Sequence, residues 1–340
     1  MTAELYKDDY FASMEDQVTD SQVEKMWLIH EIVKPQLPNI IDNIEMCIEL
    51  LLSDSVFKMP ISNGVGDDSQ PVVGGILSRQ RGDIVDFQVL VKFPQFHRGK
   101  PVMYKMKSID GRFRLNQIES ICTYLREIGG LLDELQSLED ADLFIKKFGI
   151  LLSRLTKAIN ILENPPRKLL FPDDNNEAVK TMFKDPQSLC ESMHHLVSIE
   201  LVLFKNEIMI EFRNLVKVTK RPWCRINKET GQSFVDQLRN NLKKQRHVPI
   251  KTVMEQEGVQ IEQPSLVNSL ISHLNTNGER TTLSEAQDFL NRCITFDGKV
   301  VMECEKVSIR TSDPILISVS SKLNGLANRL STHYTNLKIV

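Results

Sequence analysis

Two adjacent histidines, His194 and His195, are the first side chains in the sequence that could hold a metal together. If their segment opens a strand, consecutive side chains project to opposite faces, so the two cannot close on one ion and read as structural. The run "FPDDNNEA" (171–178) has the acids and amides of a calcium loop. It lacks the glycine at the sixth loop position and the glutamate at the twelfth, which leaves a solvated turn. No G-x-x-x-x-G-K-[ST] phosphate loop is present, and "SNGVGDDSQ" has the glycines of a flexible turn without the lysine that would hold phosphate. "GGILSRQRG" offers no nucleophile elbow. Cys47, Cys122, Cys190, Cys224, Cys293 and Cys304 form no C-x-x-C pair. Neither a zinc site nor a disulfide framework is indicated, and most of them read as small core residues. His30 and His333 fall on helical stripes as core or boundary residues. No catalytic residue, metal ligand or cofactor-binding residue is therefore assigned, and no cofactor is expected.

The strongest local charge is "KVTKRPWCRINK" (217–228), joined by Arg239, Lys243, Lys244, Arg246 and His247. Lys217, Lys220, Arg221, Trp223, Arg225, Lys243, Lys244 and Arg246 are the candidate contacts for an acidic partner or anionic lipid, and the plainer reading is a solvated surface. The whole chain carries 42 Lys plus Arg against 45 Asp plus Glu, a net charge of -3, so long-range attraction to nucleic acid is not expected. Its first residues are acidic where a secretory leader needs a basic start, and no stretch has the apolar length of a membrane span. A cytoplasmic protein is expected.

The elements that must position these groups follow from apolar spacing. With 340 residues, 41% of them hydrophobic, a sizeable core is available. Residues 1–20 read as a loose acidic tail. From 21 to 53, Val23, Trp27, His30, Val33, Leu37, Ile40, Ile44, Ile48 and Leu51 recur at helical spacing, with Pro35 and Pro38 expected to kink or split the helix. Residues 112–137 (Ile118, Ile121, Leu125, Ile128, Leu132, Leu135) and 139–163 (Phe144, Phe148, Leu151, Leu155, Ala158, Leu162) give two more stripes, joined by a short link that favours antiparallel neighbours. A fourth stripe, Leu316, Val319, Leu323, Leu326, Leu330 and Leu337, closes the chain behind Ser312 or Asp313 as N-cap and Pro314 at the first helical position.

Between the helices the period changes to two. "MPISNGVGDDSQPVVGG" (59–75) reads as a loop, and "DIVDFQVLVKF" as a strand with Val85, Phe87, Val89, Val91 and Phe93 inward and a partner strand in 100–109. Residues 196–218 read as a hairpin turning at "KNE", in preference to a helix, and 293–310 as another turning at Asp297–Gly298. Residues 219–290 show little periodicity. The expected class is α+β: an antiparallel four-helix bundle of 21–53, 112–163 and 313–340, with a discontinuous antiparallel β-domain of 71–111, 186–220 and 292–311, and a basic, partly ordered insertion at 221–290. Four stripes with no alternating sheet to cover them seal most cheaply against one another, at about 25 cal/mol per Å² of apolar area removed from water. Trp27, Leu37, Ile44, Ile121, Leu125, Leu132, Phe148, Leu155, Leu316, Leu323 and Leu330 are the expected bundle core. An intermolecular zipper is the weaker reading, because each stripe is short, interrupted and close to an intramolecular partner.

Several segments in this order resemble the Rogdi family. They are "QVEKMWLIHEIVKPQLPNIIDNI" with Trp27, Leu28, His30 and Glu31, "GGILSRQRGDIVDFQVLVKFP", "FRLNQIESICTYLREIGGLL" with its step Leu115, Gln117, Ile118, "LLSRLTKAINILENP", and the closing run from Cys293 to Tyr334. The likeness covers most of 21–218 and 293–337 and points to the family's fungal branch. It implies a helical bundle carrying a β-domain, with no catalytic residues. It also implies a non-enzymatic subunit of a RAVE-type complex, the regulator of the ATPase of vacuolar and endosomal membranes. The implied partners are a large propeller-containing, rabconnectin-like subunit, a Skp-type adaptor and peripheral-sector subunits of the V-ATPase, whose joining to the membrane sector the complex promotes. Peripheral recruitment to vacuolar or endosomal membranes is implied as well. The competing reading is a peripheral membrane or coiled-coil tether using the basic insertion, and an enzyme of unknown type stands behind both.

Overall fold

A computed structural model of the chain describes residues 14–64, 70–107, 111–175, 177–185, 189, 195–262 and 280–339, and of 14–20, 262 and 280 the backbone alone. Its helical run opens with α1 (Met14–Trp27), passes through a π-helical turn at Leu28–Val33 and a 3-10 turn at Lys34–Gln36, and continues as α2 (Leu37–Leu51). The helix thus begins inside the stretch expected to be a loose tail, whose residues 1–13 lie outside the described residues. Pro35 and Pro38 both sit in the first turn of a new helical segment, where a missing N–H removes no bond. The π turn places one extra residue per turn and shifts the stripe. The buried positions become Ile29, Val33, Leu37, Ile40, Ile44, Cys47 and Leu51. Trp27, expected in the core, is carried to the outside and is 54% exposed, as is Val23 at 63%.

Five antiparallel strands follow: β1 (Phe57–Ser62), β2 (Val72–Gln80), β3 (Asp83–Lys92), β4 (Val102–Lys105) and β5 (Phe113–Arg114), in the order β1-β2-β3-β4 with β5 on β3. Much of the loop expected at 59–75 is therefore strand. Its period of two was hidden by Pro60, which an edge strand tolerates, and by two glycines. Gly75 is required there, since a Cβ would lie 2.2 Å from the Gln88 carbonyl oxygen. The ladder between β2 and β3 skips at Val85, so Ile84 rather than Val85 takes the buried position. This bulge lies where Arg79 turns into the core.

Helices α3 (Asn116–Ser137) and α4 (Ala141–Glu163) occupy the expected positions, with Asp140 accepting from the Leu143 amide as N-cap of α4. After the short α5 (Glu177–Met182) come β6 (His195–Phe204) and β7 (Glu207–Lys217). Their two-residue turn is left-handed at both Lys205 (φ 51) and Asn206 (φ 65), the geometry that matches strand twist. Residues 221–262 and 280–292 are ordered into α6 (Phe234–Lys244), α7 (Ile250–Gln256), the parallel pair β8 (Gln260–Glu262) and β9 (Arg280–Thr282), and α8 (Leu283–Arg292). Next are β10 (Cys293–Phe296), β11 (Lys299–Ser312) and α9 (Pro314–Ile339). The turn at Asp297 (φ 48) and Gly298 (φ 67) joins β10 to β11, and the second antiparallel sheet runs β10-β11-β7-β6.

One large apolar core joins the helical stripes to the inner faces of both sheets. In it α2 packs on α3, α3 on α4, α4 on α9 and α9 on α2, so the first and last helices of the core cover each other. Leu37, Ile44, Ile121, Leu125, Leu132, Phe148, Leu155, Leu316, Leu323 and Leu330 are all buried. A separate core of Val218, Trp223, Val235, Leu238, Val253 and Met254 holds the 221–292 unit.

Polar anchors tie the layers together. Gln117, at the start of α3, behaves as an extra strand residue on the edge of β6: its Oε1 accepts from the Leu203 amide at 2.7 Å and its Nε2 donates to Leu203 O at 3.0 Å. The same Nε2 reaches Ile161 O at 2.8 Å. The β6–β7 turn docks on the end of α4, Lys205 N donating to Glu163 O at 2.8 Å and Asn206 N to Leu162 O at 3.3 Å. Deepest is Arg79, 1% exposed, whose Nε donates to Asp313, 0% exposed. Its Nη1 donates to the Arg81 carbonyl and lies 3.5 Å from Leu51 O, a carbonyl in the last turn of α2. The other oxygen of Asp313 accepts from the Ile315 amide at 2.8 Å and the Leu316 amide at 3.4 Å, which caps α9.

Breaking this pair one side at a time leaves a buried charge without a partner. Arg79→Met should lower the unfolding free energy by about 3–5 kcal/mol. Chemical denaturation of Arg79→Met, Asp313→Asn and the double variant should give strongly sub-additive losses, and strict additivity would show that the two side chains are not coupled.

Candidate interaction surfaces

The basic candidates divide into three groups. Trp223 is not a contact residue: it is fully buried, packed on Phe289 at 5.0 Å and edge-on to Phe234 at 5.7 Å, and its indole N–H donates to Thr281 at 3.3 Å. Its large apolar surface is what organises the 221–292 unit, a role its polar neighbours in the sequence conceal. Lys217 and Lys220 are half-buried, and Lys220 donates to both oxygens of Glu285 at 2.7 and 2.8 Å. Arg221, Arg225, Lys243, Lys244 and Arg246 are exposed. Arg225 lies at the start of α6, where its carbonyl accepts from Phe234 N at 2.8 Å. Lys243, Lys244 and Arg246 lie at the other end of that helix, where cations suit the dipole. Eleven residues at 1.5 Å each separate the two groups by roughly 16 Å. They form two sites on one small unit rather than one continuous patch. Arg239 is structural, donating to Leu290 O and Cys293 O at 2.7 Å each.

The residue types that could do catalysis are tied into the fold. His194 and Cys190 lie outside the described residues. His195 Nδ1 is 3.3 Å from the Asn214 side chain within the second sheet. In the "FPDDNNEA" turn, Asp173 pairs with Arg167 at 2.9 Å and burial pushes the Asp174 carboxyl up. No grouping of three possible metal ligands occurs among the described residues. Burial pushes the Cys47 thiol up to about 11 and that of Cys293 up to about 12, so both stay protonated and unreactive near neutral pH. His333 meets Gln36 at 3.1 Å, and His30 meets the exposed Glu139 at 3.2 Å beside Lys34 at 3.0 Å. The hydrogen bond from Lys34 holds the Glu139 carboxyl below the usual range.

A cluster that sequence reasoning missed sits under the 171–175 segment. Arg213 pairs with Glu211, lies 3.5 Å from Glu200 and 3.2 Å from Glu303, and places its guanidinium 4.6 Å over the Phe171 ring. Burial pushes the Glu200 carboxyl up, while the Phe171 amide, donating at 2.5 Å, and Arg213 oppose that rise. Glu200, Glu211 and Arg213 are all buried. This arrangement fixes the segment to the sheet. The signal in the sequence was a run of alternating strand residues with charges at successive same-face positions, Glu211 and Arg213.

Two apolar surfaces stand exposed among the described residues. On the outer face of the first sheet, cross-strand neighbours Leu90 and Met103 are 42% and 54% exposed, beside Gly74, while the paired Pro60 and Ile76 occupy the next row. At the far end of the helical layer are Val23 and Trp27. The contacts of Arg79 near Leu51 and of His333 with Gln36 set α9 antiparallel to α2, which brings the exposed Ile339 to that same end.

The family described as "Rogdi leucine zipper containing protein" matches residues 24–338. A Saccharomyces cerevisiae protein named "Regulator of V-ATPase in vacuolar membrane protein 2" is 46% identical over 344 residues, spanning 99% of this chain and 97% of its own length.

The two tryptophans should respond oppositely to truncation. Trp223→Ala should cost about 3–5 kcal/mol through the cavity it leaves, whereas Trp27→Ala should cost well under about 1 kcal/mol. Equilibrium denaturation compares them directly, and equal losses would contradict the placement of either residue.

Proposed function

The chain belongs to the Rogdi family, and from that premise we propose that it is a non-catalytic scaffold subunit of a RAVE-type complex that promotes assembly of the V-ATPase peripheral sector onto its membrane sector. The observation that carries this reading is likeness along the full length of both chains to a protein whose name makes it a V-ATPase regulator. The partners are a large propeller-containing subunit, a Skp-type adaptor and peripheral-sector subunits, and recruitment to vacuolar or endosomal membranes is peripheral. No helix among the described residues is long and apolar enough to cross a membrane.

The mechanism is positional. In this reading α2, α3, α4 and α9 act as an antiparallel four-helix bundle. The β-layers sit on it as a rigid body, and the uncovered sheet face and the Trp27 end are the contact surfaces. A rigid subunit that binds two large assemblies at once makes the second docking step effectively intramolecular and lowers its orientational cost. The exposed Arg221, Arg225, Lys243, Lys244 and Arg246 favour one second reading, a membrane tether that needs lipid binding by itself.

Expression in yeast cells lacking the relative should restore vacuolar acidification and recover V-ATPase peripheral subunits in a pull-down. Loss of both would overturn the scaffold reading. Flotation of the isolated chain on anionic liposomes, abolished by Lys243→Glu, Lys244→Glu and Arg246→Glu together, would favour the tether.

A further inference from the structure

A cleft of about 360 Å³ opens at the turn between β2 and β3. Leu52, Leu115 and Ile118 contribute its apolar lining, and four arginines, Arg81, Arg112, Arg114 and Arg126, surround it. They come from separate stretches. Arg81 occupies the left-handed turn between β2 and β3 (φ 53), fixed by its amide donating to Ser53 O at 3.2 Å. Arg112 precedes and Arg114 ends the short strand β5, which is held by Leu115 N donating to Gly82 O at 2.9 Å. Arg126 lies on α3. Two carboxylates, Asp83 and Glu119, also line the cleft, and both approach Arg114, at 3.8 and 3.6 Å. Arg81 is engaged with Asp54 at 2.7 Å. Arg112 and Arg126 are exposed and have no carboxylate partner among the described residues.

Single arginines on a surface are ordinary, and exposed ion pairs hold them only weakly. Four line one concavity with Asp83 and Glu119, and Asp54 holds Arg81 from outside it, so the lining keeps a net positive charge that a bound anion would offset. The lining contains arginine and no lysine. A guanidinium presents paired N–H donors that match the oxygens of a phosphate. The apolar wall suits the carbon body of a compact molecule better than a bare ion.

We propose that this cleft binds a phosphorylated anion, a compact ring or polyol carrying two or more phosphate groups. Arg112 and Arg126 are its principal ligands, and Arg114 exchanges its long carboxylate contacts for the phosphate. The same chemistry is offered by a soluble polyol phosphate and by the headgroup of a phosphorylated inositol lipid. The site is independent of the scaffold role, so a variant that loses the anion and keeps its partners separates the two.

The test uses the full chain in calorimetric titration with inositol hexakisphosphate and, in a second arm, flotation on vesicles containing phosphatidylinositol bisphosphate or phosphatidylserine. Saturable binding is expected in at least one arm, weakened roughly 10-fold or more by Arg112→Ala with Arg126→Ala, with the melting temperature of the unliganded chain unchanged. Lys243→Ala with Lys244→Ala should leave it intact. Binding in the first arm assigns a soluble ligand, and binding only to the bisphosphate vesicles assigns a lipid. No binding in either arm at about 1 mM probe, undiminished binding by the double variant, or equal flotation on phosphatidylserine would each overturn the proposal.

Discussion

A single buried ion pair constrains the rest of this molecule. Arg79 and Asp313 are 234 positions apart in sequence and almost wholly removed from water. Burying two charges is costly, and the cost is offset by the partners each finds, which here leave only the Arg79 Nη2 without a hydrogen bond among the described residues. Here Asp313 serves two masters, the guanidinium and the first free amides of α9, while Arg79 also reaches the carbonyls of Leu51 and Arg81. The end of α2, the β2–β3 turn and the start of α9 therefore share one set of hydrogen bonds. Apolar stripes supply the larger share of the stabilisation, but leucines can slide past one another in steps of a turn. We read the ion pair as the device that admits one register.

The remaining anchors extend that constraint outward. Gln117 completes the edge of β6, and the β6–β7 turn closes on the carbonyls that end α4, so the second sheet is fixed to the same helices. The Arg213 cluster then fastens the 171–175 segment to the outer face of that sheet. The 221–292 unit follows another logic, with its own core around Trp223. Function inherits this division. The main body offers rigid apolar surfaces and an arginine-lined cleft, and the smaller unit carries the separated cationic groups at the two ends of α6.

The spacing of Leu37, Ile44, Ile121, Leu125, Phe148, Leu155, Leu316 and Leu323 made the helical faces legible, because helices 15 to 26 residues long repeat their pattern often enough to be read. Asp297–Gly298 was legible as a turn because its chemistry is local, and the turn at "KNE" from the alternation on either side, although Glu207 already belongs to β7. What escaped had non-local causes. One π turn moves Trp27 to the surface without altering its neighbours' composition, and Gly75 is explained only by the approach of β3. Trp223 reads as part of a basic stretch until the helices that bury it are in place. Arg79 shares the inward phase of Val73 and Leu77, a position where a charge requires a buried partner, yet nothing nearby names Asp313. Gln117 stood out only as part of a family motif, and its role depends on a strand edge far along the chain.

Hydrogen exchange of the native chain, resolved along α2 and α9, tests the central claim most directly. If the first and last helices of the core seal one another, the buried amides of 37–51 and 315–330 should open together, with the same free energy and the same denaturant dependence as global unfolding. Exchange of α9 through a separate, low-energy opening while α2 stays protected would contradict it.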